Sequence, residues 1–64
     1  MTIQIIAKKN GEKHLQYYNK ITKTFNDRAS YQTRFYTLQA AFNAYKEIEK
    51  PVDTTIVVSY KSIL

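Results

Sequence analysis

The sequence predicts a small α+β protein in which one helix packs on one face of a sheet. Apolar residues recur at helical spacing between residues 38 and 48, which is the pattern of an amphipathic helix. The stretches before and after this segment are rich in β-branched and aromatic residues, as strands are. We therefore predict the order β-β-β-α-β, with three or four mostly antiparallel strands, in a single domain of residues 1–64.

The first hairpin is predicted at Asn10 and Gly11, because an Asn-Gly pair between apolar stretches is a strong hairpin signal. Two registers compete. A two-residue loop of Asn10 and Gly11 leaves neither strand face cleanly apolar. A loop that also includes Lys9 pairs Ile5 with Leu15 and gathers the apolar side chains on one face, so we favour it. The predicted core face then carries Ile3, Ile5, Ala7, Leu15 and Tyr17.

The opposite face of this hairpin is predicted to be mostly polar and solvated. Ile6 and Tyr18 are its large apolar exceptions, so this face is the candidate surface for a protein partner. Tyrosine is enriched at protein interfaces, where its ring buries area and its hydroxyl keeps a hydrogen bond. The predicted partner-binding residues are Ile6, Lys8, His14, Gln16 and Tyr18.

The middle of the chain is predicted to add one short strand and a loop. The third strand covers residues 23–26, with Phe25 in the core. A loop follows, and then a short extended piece at residues 34–36 in which Phe35 points inward. Tyr31 fits either the core or the surface.

The helix is predicted to begin after Thr37, a residue type whose hydroxyl caps helix N-termini. Its apolar stripe consists of residues 38, 41, 42, 45 and 48. Pro51 ends it near Glu49 or Lys50. Alanine at three positions favours the helix and lets it lie close to a sheet.

The last strand is predicted at residues 52–61, next to the first strand, because these two segments are the most apolar. One face carries Ile56, Val58 and Tyr60, and Val57 lies on the other. Ile63 and Leu64 would either fold back or meet a partner chain.

The sequence predicts no enzyme activity, no cofactor and no metal site. Catalysis needs polar groups that converge in a pocket, whereas the serines have no histidine near them in the sequence. The chain has no cysteine, a single histidine, His14, and a single glycine. Thiolate metal sites and glycine-rich phosphate loops are therefore excluded.

The charge balance allows a second function, nucleic-acid binding. Ten Lys and Arg against five Asp and Glu leave a net charge of +5, which favours acidic partners. Lysines neutralise phosphates, and tyrosines such as Tyr18 and Tyr31 stack on bases. The residues predicted for this alternative are Lys8, Lys9, Lys13, Lys20, Lys23 and Arg34.

Location and self-association can be predicted only in outline. No apolar run approaches the ~20 residues of a membrane span, and the start lacks the pattern of a signal peptide. We therefore expect a cytoplasmic protein without a membrane partner. A chain of this length has a small core, which leaves a homodimer open as one way to stabilise the fold.

Residues 17–48 contain two runs, YYNKITKTFND and TRFYTLQAAFNAYKEI. They resemble small accessory proteins encoded by bacteriophages, which often show a tyrosine-rich hairpin, an F-x-T-like step into an alanine-rich helix, and a last strand. The resemblance implies host takeover, or inhibition of a host defence protein, by stoichiometric binding in the host cytoplasm. It identifies no functional residue.

Overall fold

A computed structural model describes residues 2–61, and Ile63 and Leu64 lie outside this part. The elements follow the predicted β-β-β-α-β order, which confirms the α+β class. All strand pairs are antiparallel, in the order β3-β2-β1-β4. The elements are β1 (Thr2–Lys9), β2 (Leu15–Asn19), β3 (Thr24–Asn26), α1 (Leu38–Glu47) and β4 (Thr54–Lys61).

The core lies between α1 and one face of the sheet. β1 alternates as a strand covered on one side should, with Ile3 and Ile5 fully buried under the helix. β4 is the neighbour of β1, as predicted; it pairs with β1 along its whole length and places Val58 opposite Ile5. The buried core consists of Ile3, Ile5, Ala7, Tyr18, Phe35, Ala41 and Ile56.

The register between β1 and β2 corrects the predicted hairpin. Lys8 is paired with Leu15 and Ile6 with Tyr17, so Leu15 and Tyr17 lie on the face away from the helix. Tyr18 lies on the helix side and is only 8% exposed. The predicted three-residue loop is therefore wrong. The two faces are those of the rejected two-residue loop, but the pairing is shifted by two residues.

Turn geometry and aromatic packing explain this register. Gly11 has a φ of +84°, and the N–H of Glu12 donates to the carbonyl of Lys9 at 3.0 Å. A positive φ at the third position is typical of a type II turn, whose twist does not match a hairpin, so strand pairing resumes only at Leu15. Tyr18 then packs edge-on against Phe25, with ring centroids 5.4 Å apart.

β3 begins one residue later than predicted. Lys23 has a φ of +58°, and its N–H donates to the carbonyl of Asn19 at 2.8 Å. This residue closes the turn before β3 and is not part of the strand. Phe25 is half-buried against the core, in agreement with its predicted inward position.

Residues 30–36 fill a gap where β1 and β2 separate. The carbonyl of Gln32 accepts the N–H of Lys20, the residue after β2, at 3.0 Å, and the N–H of Phe35 donates to the carbonyl of Ile3 on β1 at 2.8 Å. Phe35 is buried, as predicted. The segment predicted as a loop therefore contains a short 3-10 helix, Tyr31–Thr33, and connects the two strands.

α1 begins where the sequence predicts, because the Thr37 hydroxyl accepts the N–H of Ala40 at 3.1 Å. It ends at Glu47, with Ile48 as its C-cap, slightly before the predicted end. The sheet covers only part of the apolar stripe of α1, because Leu38 and Phe42 stay 40% and 45% exposed. No helix within residues 2–61 is both long and apolar enough to cross a membrane.

Candidate protein-binding face

The structure separates the five residues predicted to bind a partner. Ile6 and Lys8 lie on the sheet face away from α1, as predicted. Tyr18 is a core residue, so its predicted place on this face is wrong. Gln16 is exposed but is on the helix side of its strand, where its amide donates to Asp27 at 3.4 Å. His14 is exposed in the connection before β2.

A groove runs along the open face of the sheet at its hairpin end, with a volume of about 390 Å³. We call it the open-face groove. Its apolar floor is made by neighbouring strands, because Ile6 of β1 is paired with Val57 of β4 and Lys8 is paired with both Leu15 and Thr55. The groove is lined by Ile6, Lys8, Asn10, Gly11, Leu15, Thr55 and Val57.

Leu15 and Val57 are the groove residues whose exposure most needs explanation. They are 42% and 47% exposed, whereas large aliphatic side chains are usually buried. The sequence predicts Leu15 in the core, and this prediction is wrong because Leu15 lies on the open face. Val57 was placed on the face opposite Ile56, which is correct, but it was not proposed as part of a site. One sequence signal was available: Ile6 and Val57 are apolar residues on the strand faces opposite Ile5 and Ile56.

The open-face groove carries positive charge at Lys8. Lys8 lines it, and no acidic residue of the described chain does. An apolar floor with a positive charge beside it matches a partner that offers apolar side chains and a carboxylate. The turn at this end of the groove is held by Gly11 in its left-handed conformation.

The residues predicted for nucleic-acid binding form two groups at opposite ends of β1. Lys8, Lys9 and Lys13 lie at the hairpin end. Lys20 and Arg34 lie near Ile3, where the Lys20 ammonium donates to the Arg34 carbonyl at 2.8 Å. This ammonium also sits 5.0 Å from the centre of the Tyr36 ring.

The two groups are therefore separated. The remaining predicted residue, Lys23, is near acidic residues. Ile3 and Lys9 are six residues apart on an extended strand, which is about 20 Å. Lys23 lines a second groove, of about 410 Å³, that also includes Glu47 and Glu49 at the end of α1. The six basic residues do not form one continuous surface in the described structure.

Within residues 2–61, no three His, Asp or Glu side chains are grouped so as to hold a metal ion. Every buried side-chain nitrogen or oxygen in this part of the chain has a hydrogen-bond partner. The buried Asn19 side chain is one example: it accepts the N–H groups of Ile21 and Thr22 and donates to the Gln32 side chain at 2.8 Å.

Comparison of the chain with protein-family models, curated proteins and solved structures finds no match.

Proposed function

We propose that this chain is a non-enzymatic protein that acts by binding another protein through the open-face groove. The observation that carries the proposal is the groove itself, where Ile6, Leu15 and Val57 are gathered on a sheet face that no helix of the described chain covers. Apolar side chains grouped on an exposed surface are typical of sites that take a partner.

The proposed partner is a protein segment with apolar side chains and acidic residues. The apolar side chains would fill the groove, and a carboxylate would meet Lys8, which lines it. The net charge of +5 would also speed the encounter with an acidic surface. Such binding needs a surface of matching shape and charge but no catalytic group.

In its finer form, the proposal is that the chain is a phage-encoded inhibitor of a host or defence protein, acting in the host cytoplasm. This form rests on the resemblance of residues 17–48 to phage accessory proteins. An inhibitor of this kind works by occupying a site on its target in a stoichiometric complex. The groove supplies the surface for such a complex.

Affinity capture with three baits tests the proposal. Tagged wild-type chain, Leu15→Glu and Ile21→Glu are each incubated with lysate of the natural host cell, with and without nuclease. Both variants add one carboxylate at an exposed apolar residue, but only Leu15 lines the groove. We expect a partner that survives nuclease and is retained by Ile21→Glu. Its affinity for Leu15→Glu should fall at least about tenfold, because an unpaired charge is buried.

Direct titration then locates the contact. On addition of the captured partner, the methyl resonances of Ile6, Leu15 and Val57 should shift, whereas those of Ile21 and Val52 should not. Equal loss of binding in both variants, with circular dichroism unchanged, would move the contact away from the groove. Nucleic acid recovered in place of a protein, and lost on nuclease treatment, would replace the proposal with the nucleic-acid alternative.

A further inference from the structure

The free side of β4 carries backbone groups that point away from the rest of the sheet. The carbonyl of Ile3 accepts from Phe35, on the side away from β4, so Ile3 and its partner Tyr60 form a pair without mutual hydrogen bonds. At the other end of the strand, the N–H of Asn10 donates to the carbonyl of Asp53 at 2.8 Å. Asp53 therefore faces β1, and the next residue, Thr54, faces outward. The residues of β4 that direct N–H and C=O outward are therefore Thr54, Ile56, Val58 and Tyr60.

Contacts within the chain use few of these outward groups. The N–H of Thr54 donates to the carbonyl of Pro51 at 3.2 Å, and the carbonyl of Ile56 accepts the Tyr45 hydroxyl at 3.4 Å. A carbonyl oxygen can accept a second hydrogen bond. No other strand within residues 2–61 pairs with this side of β4, which is the last strand of the sheet.

β4 also lacks the features that usually protect a sheet edge. Edge strands tend to be short, bulged, or interrupted by charged residues or proline. Residues 54–60 contain none of these residue types, and the pairing of β4 with β1 runs without interruption over eight residues. The opposite edge, β3, has only three residues. The long, unbulged and uncharged edge therefore belongs to β4.

Apolar side chains flank this edge above and below the sheet. On the helix side, Tyr45 reaches β4 through its hydroxyl, and Leu38 and Phe42 precede it by seven and three residues on the same flank of α1. Both are exposed. Tyr60 is exposed on the helix face of β4, and Val57 is exposed on the open face. The edge therefore has exposed apolar side chains on both sides of the sheet, as a strand would have in the middle of a larger two-layer fold.

We propose that the partner of this edge is a second copy of the same chain, with the two β4 strands paired antiparallel about a twofold axis at Val57. Ile56 of one copy then exchanges hydrogen bonds with Val58 of the other, and Tyr60 is set opposite Thr54. The outward N–H groups of Ile56, Val58 and Tyr60 all find acceptors. Paired residues belong to the same sheet face, so both helices lie on the same side of an eight-stranded sheet.

Charge favours a second copy over other strands. The uncharged edge accepts a neutral strand, and β4 is itself neutral between residues 54 and 60. In the register centred on Val57, Asp53 of each copy stands opposite Lys61 of the other. An acidic position therefore meets a basic one at both ends of the new strand pair, which offsets part of the repulsion between two chains of charge +5.

The same arrangement brings the α1 helices of the two copies close to each other. α1 packs on β1 and β4. With strands about 4.8 Å apart, the two helix axes would be separated by about 10 Å if α1 lies midway between these strands, and about 14 Å if it is centred on β1. Helices in contact pack at about 8–10 Å, so Leu38 and Phe42 of the two copies are positioned to fill the space between them.

Hydrogen exchange of the wild-type chain tests this pairing directly. At high concentration, the amides of Ile56, Val58 and Tyr60 should be protected although they point away from β1, and dilution should remove this protection. The amides of Val57 and Ser59, which face β1, should stay protected at both concentrations. Sedimentation should show a dimer with a Kd below about 1 mM. A chain that stays monomeric at that concentration, or a dimer whose three outward amides exchange freely, would overturn the proposal.

A matched pair of variants at Tyr60 tests the role of the outward N–H. Tyr60→Pro removes this donor at a position where an edge strand tolerates proline, whereas Tyr60→Thr keeps it and removes the same ring. One hydrogen bond is lost at each end of the interface, so the dimer Kd of Tyr60→Pro should be about 10- to 30-fold higher than that of Tyr60→Thr. Equal Kd values in two folded variants would contradict the pairing.

The dimer does not depend on the proposed function, and the two can fail separately. Self-association is measured on the purified chain alone, and Tyr60 does not line the open-face groove. The two proposals meet at the twofold axis, because Thr55 and Val57 belong to both β4 and the groove. A dimer would therefore present two grooves side by side on one continuous sheet face.

Discussion

Tyr17 and Tyr18 show how a single step along a strand separates a surface residue from a core residue. The two differ only in the face of β2 that they occupy. Tyr18 packs on Phe25 and belongs to the buried cluster under α1, whereas Tyr17 is opposite Ile6 on the open face and is only partly buried. The register predicted from the sequence exchanged these roles, so the pair is also the sharpest test of the observed register.

We expect Tyr18→Ala to destabilise the protein by about 3–5 kcal/mol, the usual cost of deleting a buried aromatic ring. The free energy of unfolding of a chain of 64 residues is itself only about 3–10 kcal/mol, so much of the variant should be unfolded at 25 °C. Urea unfolding measures the change, and Tyr17→Ala is the control. A larger loss for Tyr17→Ala than for Tyr18→Ala would show that the faces of β2 are reversed.

At the level of elements, the segment 30–36 is the part of the fold that local sequence patterns describe least well. It shows no strand or helix period, and yet it bonds to Ile3 of β1 and to Asn19 of β2. Its conformation depends on Thr33, which is almost fully buried. The Thr33 hydroxyl accepts the N–H of Ser30 at 2.9 Å and donates to the Ser30 carbonyl at 2.8 Å.

Thr33→Val should lower the free energy of unfolding by about 1–3 kcal/mol, because it keeps the side-chain shape but leaves the Ser30 N–H without its partner and removes one of the two hydrogen bonds to the Ser30 carbonyl. Thr55→Val makes the same chemical change at an exposed strand residue and should stay within about 0.5 kcal/mol of wild type. Thermal and urea unfolding of both variants measure the difference. Similar small effects at both positions would show that the segment does not depend on this hydroxyl.

At the level of the whole molecule, the distribution of charge matters more than its total. The net charge of +5 allows nucleic-acid binding, but the predicted lysines are divided between the two ends of β1. A single strand of nucleic acid that contacts one end would meet about three of them. The basic residues are divided because β2 separates them: Lys13 precedes this strand and Lys20 follows it.

We therefore expect any DNA or RNA binding to be weak and to show a shallow salt dependence. On a single-stranded oligonucleotide, three phosphate contacts predict a slope of log K against log salt of about −2, whereas contacts by all six basic residues predict a slope of about −4. Titration of a labelled oligonucleotide between low and physiological salt measures this slope. Tight binding with the steeper slope would favour the nucleic-acid alternative over protein binding.

Much of the fold could be predicted from the sequence because it depends on local chemistry. The Thr37 cap, the inward positions of Phe25 and Phe35, and the pairing of the last strand with the first all follow from residue type and periodicity. The candidate site was less predictable. The faces of Ile6 and Lys8 were predicted correctly, but Leu15 and Val57 were not included in the candidate site, because a strand with apolar residues on both sides does not reveal which side the helix covers.

Sequence alone therefore determined the α+β class, the element order and the absence of cysteine chemistry, since composition and periodicity act over a few neighbouring residues. Only the tertiary structure decided the register of β2, the packing of Tyr18 on Phe25, and the gap filled by residues 30–36. These features arise from contacts between segments that are distant in the chain. The same holds for the open-face groove and the free side of β4, because a single helix can cover only one side of a four-stranded sheet.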